Sequence, residues 1–348
     1  MKNILLFRMS AMGDVALTVP VIRAAAEANP ESKFTLVTRP FFAPFFEGIE
    51  NLELVFPDLK GKHKGFLGLI KFYFELQVQK KWDVILDLHD VLRTRVWRSL
   101  FRFAGKPVYV IDKGRKEKKD ILLRKSDTPL KHVTERYLDV FRKAKIETAP
   151  LKIASIIPSS NVKEKARRQL AELCLKGSKS IGIAPFAMHA PKMWGLDNCH
   201  KLMDLIQEKY NVTFFLFGGG SEEVEKLSRL EDKKRGRFSM AGKIPFQDEI
   251  AFISCLDLMI AMDSSNMHLG ALTGTKTVSI WGGTDPVFGF SAFGQPKEYS
   301  IHIPEGKLAC RPCSVYGGKP CSQEEILCMK YVTPSLVLNV LEEQGVLL

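Results

Sequence analysis

The first apolar run of the chain, residues 4–7, leads into Arg8-Met9-Ser10-Ala11-Met12-Gly13-Asp14 and then into an apolar segment, 15–26. Gly13 allows a tight turn, and Asp14 stands where a helix begins. A carboxylate there has two uses. It caps the free N–H groups of the helix, or it projects towards a ligand as a general base. In the second half, Lys192 lies in Pro185-Phe186-Ala187-Met188-His189-Ala190-Pro191-Lys192-Met193-Trp194. It either reaches a diphosphate as a mobile point charge or remains a solvated lysine. Gly218-Gly219-Gly220 lets backbone approach a ligand, and Glu222 and Glu223 follow at the start of a helix. Those glutamates accept hydrogen bonds from ribose hydroxyls, or they complement the helix dipole. The fullest pattern is Asp263-Ser264-Ser265-Asn266-Met267-His268-Leu269, an acidic turn between a strand and a helix whose N–H groups form an anion site. Asp263 and His268 flank that turn as ligand groups, or serve as a cap and a packed core residue.

These residues need elements to hold them. Apolar runs at 4–7, 34–37, 84–88 and 108–111, and again at 181–184, 213–217, 256–261 and 277–281, are continuous rather than alternating. Such runs predict strands buried on both faces of parallel sheets. The spacers have helical periodicity, as in Leu202, Leu205 and Ile206. The expected class is therefore α/β, with two Rossmann-like halves facing across a cleft and ligands outside the carboxyl ends of the strands. No G-x-G-x-x-G fingerprint occurs, which argues against a dinucleotide oxidoreductase.

At 348 residues, two domains are expected. Lys and Arg number 51 against 39 Asp and Glu, a net +12 that favours anionic partners: phosphorylated substrates, acidic membrane surfaces or nucleic acid. No apolar stretch reaches the roughly 20 residues of a membrane span, and a cytoplasmic protein is expected. Lys60, Lys62 and Lys64 precede an aromatic-rich segment, 66–74, which is either a membrane-interface element or an ordinary core helix with a solvated leader. Arg93, Arg95 and Arg98 follow Asp87-Leu88-His89-Asp90 and are expected to face the cleft from a strand end, or else form a solvated charged face. Cys310, Cys313, Cys321 and Cys328 form a C-x2-C-x7-C-x6-C cluster. Its thiols either bind a structural zinc or stay reduced and packed, since the spacing is not that of a standard finger.

In this order the motifs resemble those of the bacterial heptosyltransferases, glycosyltransferase family 9. The matching residues are Ser10 to Asp14, Lys192 with Trp194, Asp263 with His268 and Leu269, Gly274 to Val278, and Gly282-x-Thr284-Asp285-Pro286. The resemblance implies the GT-B fold and an inverting transfer of a sugar, typically heptose from ADP-heptose, to a lipopolysaccharide-core or related glycan. It implies Asp14 as the base and Lys192 at the diphosphate. Ser264, Ser265 and Asn266 would offer N–H groups, Asp263 would bind sugar hydroxyls, and His268 would touch the donor or support the turn. Glu222 or Glu223 would meet the ribose, and Lys243 and Ile244 the adenine. Ser10, Gly13, Lys62, Lys64, Arg93 and Arg95 fall to an anionic, lipid-linked acceptor. No cofactor is required. Two departures stand out: Ser265 replaces a glycine, and Phe186 and Ala187 replace a hydroxyl pair.

The expected division is an acceptor domain at 1–155, a linker at 156–178, a nucleotide-sugar domain at 179–332, and a C-terminal helix at 333–348 packing back on the first domain. The site of action would be the cytosol, at the cytoplasmic face of the inner membrane. Other readings are a GT-B enzyme using another donor, a nucleotide-sugar epimerase, and, remotely, a nucleic-acid binder with a zinc knuckle. Against the last, aromatics are not interleaved with the basic residues as stacking platforms require.

Overall fold

The computed structural model describes residues 1–304 and 306–347. The chain divides into two compact units: Met1–Gly114 with Val133–Ile157, and Arg115–His132 with Pro158–Leu348.

The first unit is built on a parallel sheet of β1 (Asn3–Phe7), β2 (Lys33–Val37), β3 (Leu52–Val55), β4 (Val84–Asp87) and β5 (Val108–Val110), in the order β3-β2-β1-β4-β5. Leu5, Leu6 and Phe7 are fully buried, as a continuous apolar run in a two-faced sheet demands. The helices in chain order are α1 (Met12–Ala16), α2 (Val19–Ala28), α3 (Gly65–Gln79) and α4 (Leu92–Phe103); α5 (Arg115–Leu122), which groups with the second unit; and α6 (Val133–Lys143). Phe72, Tyr73 and Leu76 of α3 and Trp97 and Phe101 of α4 pack with Leu5 and Phe7 in one apolar cluster.

In the second unit, β6 (Lys179–Ala184), β7 (Val212–Leu216), β8 (Arg237–Ser239), β9 (Leu258–Met262), β10 (Lys276–Ile280) and β11 (Ser300–Ile301) form a parallel sheet in the order β11-β10-β9-β6-β7-β8. Its helices are α7 (Ser160–Leu173), α8 (Leu196–Lys209), α9 (Ser221–Ser228), α10 (Phe246–Ile253), α11 (Ser265–Leu272), α12 (Leu327–Lys330) and α13 (Pro334–Glu343).

Three expected boundaries are corrected. The C-terminal helix α13 packs on the second unit, not the first. Val337, Leu338 and Leu341 share an apolar cluster with Leu202, Met203 and Ile206 of α8. Glu342 accepts hydrogen bonds from Lys209 at 2.9 Å and Tyr210 at 3.1 Å. The supposed linker contains α7, which groups with the second unit and packs against α10. It read as a linker because only Ala166 of it is buried. Residues 115–132 also group with the second unit: Leu130 N–H donates to the Val287 carbonyl at 2.8 Å, and Arg124 to the carbonyls of Ala309 at 3.0 Å and Arg311 at 2.7 Å.

Candidate active site

Parallel α/β sheets bind ligands where the strand order reverses, outside the carboxyl ends of the strands. In the first unit that point lies between β1 and β4. Asp14 is in the first turn of α1 and makes no cap hydrogen bond to it. Its carboxylate instead meets the guanidinium of Arg8 at 2.6 Å, while its side chain stays 38% exposed. The carboxylate is thus fixed by a buried arginine and open to solvent. Arg8 is itself held by the Leu88 carbonyl at 2.8 Å and lies 5.8 Å from the ring centroid of Tyr137. Gly13 sits within α1 rather than at a turn.

Ser10 Oγ lies 3.2 Å from His89 Nε2, joining the loops after β1 and β4. Asp87 holds the second loop by accepting from the N–H groups of His89 at 3.0 Å and Asp90 at 2.8 Å. Arg98 bridges Asp87 at 3.0 Å and Asp90 at 2.9 Å. Arg93 and Arg95 are exposed on α4 rather than at a strand end. Arg95 reaches Asp90 at 3.2 Å. Lys64 is exposed just before α3, and Lys62 pairs with Glu75 at 3.2 Å. Sequence reasoning gave no role to Arg8 or His89, and it grouped Arg98 with Arg93 and Arg95 rather than with Asp87 and Asp90. An arginine directly after an apolar strand was the available signal for Arg8.

In the second unit the reversal lies between β6 and β9. Lys192 comes from the loop after β6 and Asp263 from the loop after β9. They pair at 2.9 Å, with side chains 13% and 10% exposed. Thr284 Oγ1, after β10, donates to the same Asp263 oxygen at 2.7 Å. Asp263 therefore gathers three loops, and it is an anchor for Lys192 rather than a cap.

The loop holding Thr284 is pinned from two sides. Arg311, buried, donates to the Gly282 carbonyl at 2.8 Å and pairs with Asp285 at 2.8 Å. Gly283 N–H donates to the Pro191 carbonyl at 2.9 Å, and a Cβ on Gly282 would come within 2.5 Å of that same oxygen. Gly317, at φ +85°, lies so close over the stem of Lys192 that a Cβ would sit 2.4 Å from its Cδ. Backbone at Gly317 thus closes over the stem of the lysine.

Ser264 precedes α11, and Ser265 and Asn266 open it, half-buried. Ser264 Oγ and His268 Nδ1 are buried with no hydrogen-bond partner, as is His89 Nδ1 in the first unit. Buried polar atoms without partners are rare enough in proteins to call for a reason such as a ligand. The two glutamates separate: Glu223 accepts from Gly219 N–H at 2.8 Å and shapes the glycine loop, while Glu222 is 80% exposed and pairs with Lys226. Lys243 pairs with Glu231 at 2.8 Å, and Ile244 is half-buried ahead of α10.

Burial, with nearby Arg8 and Lys113, pushes His89 down to about 3. Burial, with His132 and Lys192 nearby, pushes His268 to about 3 as well. Both rings are neutral at physiological pH. The unfolded chain takes up a proton on each histidine below about 6.5 while the folded chain does not. Their contribution is thus fully present above pH 6.5 and lost as pH falls towards 3, by up to about 1.4 kcal/mol per pH unit for each ring. Glu249, pushed up to about 7 by burial, works in the opposite direction by taking up a proton in the folded state first. Urea midpoints should therefore fall more steeply between pH 7 and pH 5 in the wild type than in a His89→Gln/His268→Gln double variant. Equal slopes would contradict the buried neutral assignment.

The four cysteines Cys310, Cys313, Cys321 and Cys328 line one small cavity beside Pro191 and Gly283. Burial pushes the Cys313 thiol up and the Cys328 thiol to about 11. Among the described residues, no three His, Cys, Asp or Glu side chains converge as the ligands of a metal ion would. Cys313 Sγ donates to the Gly283 carbonyl at 3.5 Å.

The family model for glycosyltransferase family 9 (heptosyltransferase) matches residues 74–316. The chain belongs to glycosyltransferase family 9. It is a glycosyltransferase of the heptosyltransferase type. The match spans Lys192, Asp263, His268 and Thr284; Asp14 lies ahead of it. Among curated relatives, this family 9 chain is 22% identical to the lipopolysaccharide core heptosyltransferase OpsX of Haemophilus influenzae, over 82% of the chain and 80% of the relative. Its fold is that of a family 9 glycosyltransferase from Veillonella parvula, with TM-score 0.75 and 19% identity over 98% of this chain and 96% of that one. It is also that of the Escherichia coli heptosyltransferase WaaC solved with ADP, with TM-score 0.68 and 17% identity over 98% and 99%. The expected GT-B fold is thus borne out.

Proposed function

We propose that this family 9 glycosyltransferase moves a heptose from ADP-heptose to a hydroxyl of a lipopolysaccharide-core or related lipid-linked glycan, with inversion at the anomeric carbon. The observation that carries the reading is the Lys192–Asp263–Thr284 constellation at the strand-order reversal of the second unit, beside the start of α11. Fixed positive charge and free N–H groups at such a point suit a nucleoside diphosphate.

In the proposed reaction the acceptor oxygen attacks the anomeric carbon from the face opposite the diphosphate. The new C–O bond forms as the bond from that carbon to the phosphate oxygen breaks, and ADP departs with the electron pair. Asp14 takes the acceptor proton, its carboxylate oriented by Arg8. Lys192 and the N–H groups of Ser265 and Asn266 meet the charge that grows on the leaving phosphate. Asp263 keeps Lys192 extended before the donor arrives and then accepts from sugar hydroxyls. Glu222 and the main chain at Lys243 and Ile244 meet the ribose and the adenine. Ser10, Gly13, Lys62, Lys64, Arg93 and Arg95 form the acceptor side, where positive charge suits phosphorylated glycolipid. The roles just given need no cofactor. No helix among the described residues is long and apolar enough to cross a membrane. We place the enzyme's action at the cytoplasmic face of the inner membrane, where such an acceptor is within reach.

The test is a thermal-shift titration with ADP, UDP, GDP and CDP, followed by transfer assays from ADP-heptose to Kdo-lipid A. Selective stabilisation by ADP is expected, about 2.7 kcal/mol at a hundredfold excess over Kd and a few degrees in Tm. A selective response to another nucleotide would move the donor. No response to any of the four would remove the donor site from the second unit.

A further inference from the structure

Helix α3 is apolar on both sides. Gly68, Leu69, Phe72, Tyr73 and Leu76 face inwards. The outward positions should then be polar, since a helix apolar all round belongs in a fully buried place. One stripe of them is not: Phe66 is 65% exposed, Leu67 80%, Phe74 61% and Val78 88%. At 100° per residue these four, with Ile70 and the half-buried Gln77, span roughly 120° of the helix surface, and exposed Lys71 borders them. Lys60 and Lys64, both exposed, stand just ahead of the helix. The nearby acids are already engaged. Glu75 pairs with Lys62 and His63, and Asp58 accepts from the N–H groups of Gly61 and Lys62.

The leader is bound to the helix rather than loose. His63, 2% exposed, sits between the Asp58 N–H at 2.9 Å and Glu75 at 3.1 Å, and its ring centroid lies 4.8 Å from that of Phe72. The lysines are thereby carried on the same rigid piece as the apolar face.

We propose that this face of α3 docks the enzyme on an anionic lipid bilayer, with Phe66, Leu67, Phe74 and Val78 entering the headgroup–acyl boundary and Lys60, Lys64 and Lys71 meeting lipid phosphates. Charge favours lipid over a second copy of the chain: a symmetric pairing would bring two lysine rims together, whereas an acidic membrane complements them. This deepens, and rests on, the reading of a lipid-linked acceptor, by naming the surface that brings the enzyme to it.

The test is flotation of the full chain with vesicles of phosphatidylcholine alone and with 30% phosphatidylglycerol, free of any glycan. Binding to the anionic vesicles is expected, weakened by salt. A Leu67→Ser/Phe74→Ser variant should lose at least tenfold in partitioning. A Lys71→Glu variant should lose severalfold on anionic vesicles only. Transfer to a delipidated, water-soluble acceptor should be unchanged in both, which also shows that they fold. Failure of the wild type to bind either vesicle, or undiminished binding by the double variant, overturns the proposal. So does a dimer in sedimentation that the double variant abolishes. Loss of transfer with vesicle binding intact would instead count against the reading of the reaction.

Discussion

An Asp14→Asn enzyme should bind the donor nucleotide as the wild type does and turn over about a thousandfold more slowly. A positioned general base is typically worth 10²–10⁴ in rate, about 4 kcal/mol at the middle of that range. The amide keeps the shape and removes the proton acceptor. Donor affinity should be spared, because the residues proposed to hold the nucleotide all belong to the second unit, which has its own core. One secondary cost is expected. Arg8 is 4% exposed and would lose its 2.6 Å partner, so melting should drop by a few degrees. Pre-steady-state turnover, with nucleotide Kd measured on the same preparation, separates the two effects. Turnover within tenfold of wild type would assign the base elsewhere. His89 is a poor substitute, since it is buried.

The second large effect is at Lys192. Its removal takes away the positive charge proposed to face the leaving diphosphate and strands Asp263 in a site where that carboxylate is 10% exposed. Lys192→Ala should therefore lower kcat/KM by 10²–10³, about 3–4 kcal/mol of transition-state stabilisation. It should also lower stability, because a buried charge without its partner is costly. A Lys192→Ala/Asp263→Asn double variant distinguishes the two consequences. Stability should return, because Thr284 can still donate to the amide oxygen, while catalysis should not. If the double variant recovered activity together with stability, Lys192 would be structural only. Lys192→Arg should not substitute well, because the stem passes under Gly317 with little room for a planar fork.

Much of this arrangement was legible beforehand, and the reasons differ by residue. Strands such as β1, β6 and β9 announce themselves because both faces are buried and their interior runs, 4–7, 181–184 and 258–262, are apolar. β3 did not, since it lies at a sheet edge where Glu53 faces outwards. β8 was hidden by Arg237, a 1% exposed arginine paired with Asp204 at 2.6 Å and donating to Gln207 at 3.0 Å. Nothing local marks an arginine as destined for burial. β11 has only two residues.

At the site, the loops were legible and their wiring was not. Asp14, Lys192 and Asp263 stand out by type and by position after strands. The partners that hold them do not. Arg8 and Asp14 are close in the chain, but Thr284 reaches Asp263 across 21 residues and Arg311 reaches Gly282 across 29. Arg311 lay inside the cysteine pattern, which drew the eye to metal chemistry instead. The strap at 115–132 shows in the sequence mainly as charge, because its links to the rest of the second unit run through backbone carbonyls that carry no sequence signal.

That strap decides how relatives of this enzyme can be recombined. A crossover placed at the end of the first unit, near residue 157, would pair one parent's 115–132 with the other parent's 287–311, and the hydrogen bonds at Val287, Ala309 and Arg311 would then join segments that never evolved together. The module that can be exchanged as one unit is discontinuous. It consists of residues 1–114 and 133–157, with the strap left in the host, so a working hybrid requires three crossovers rather than one.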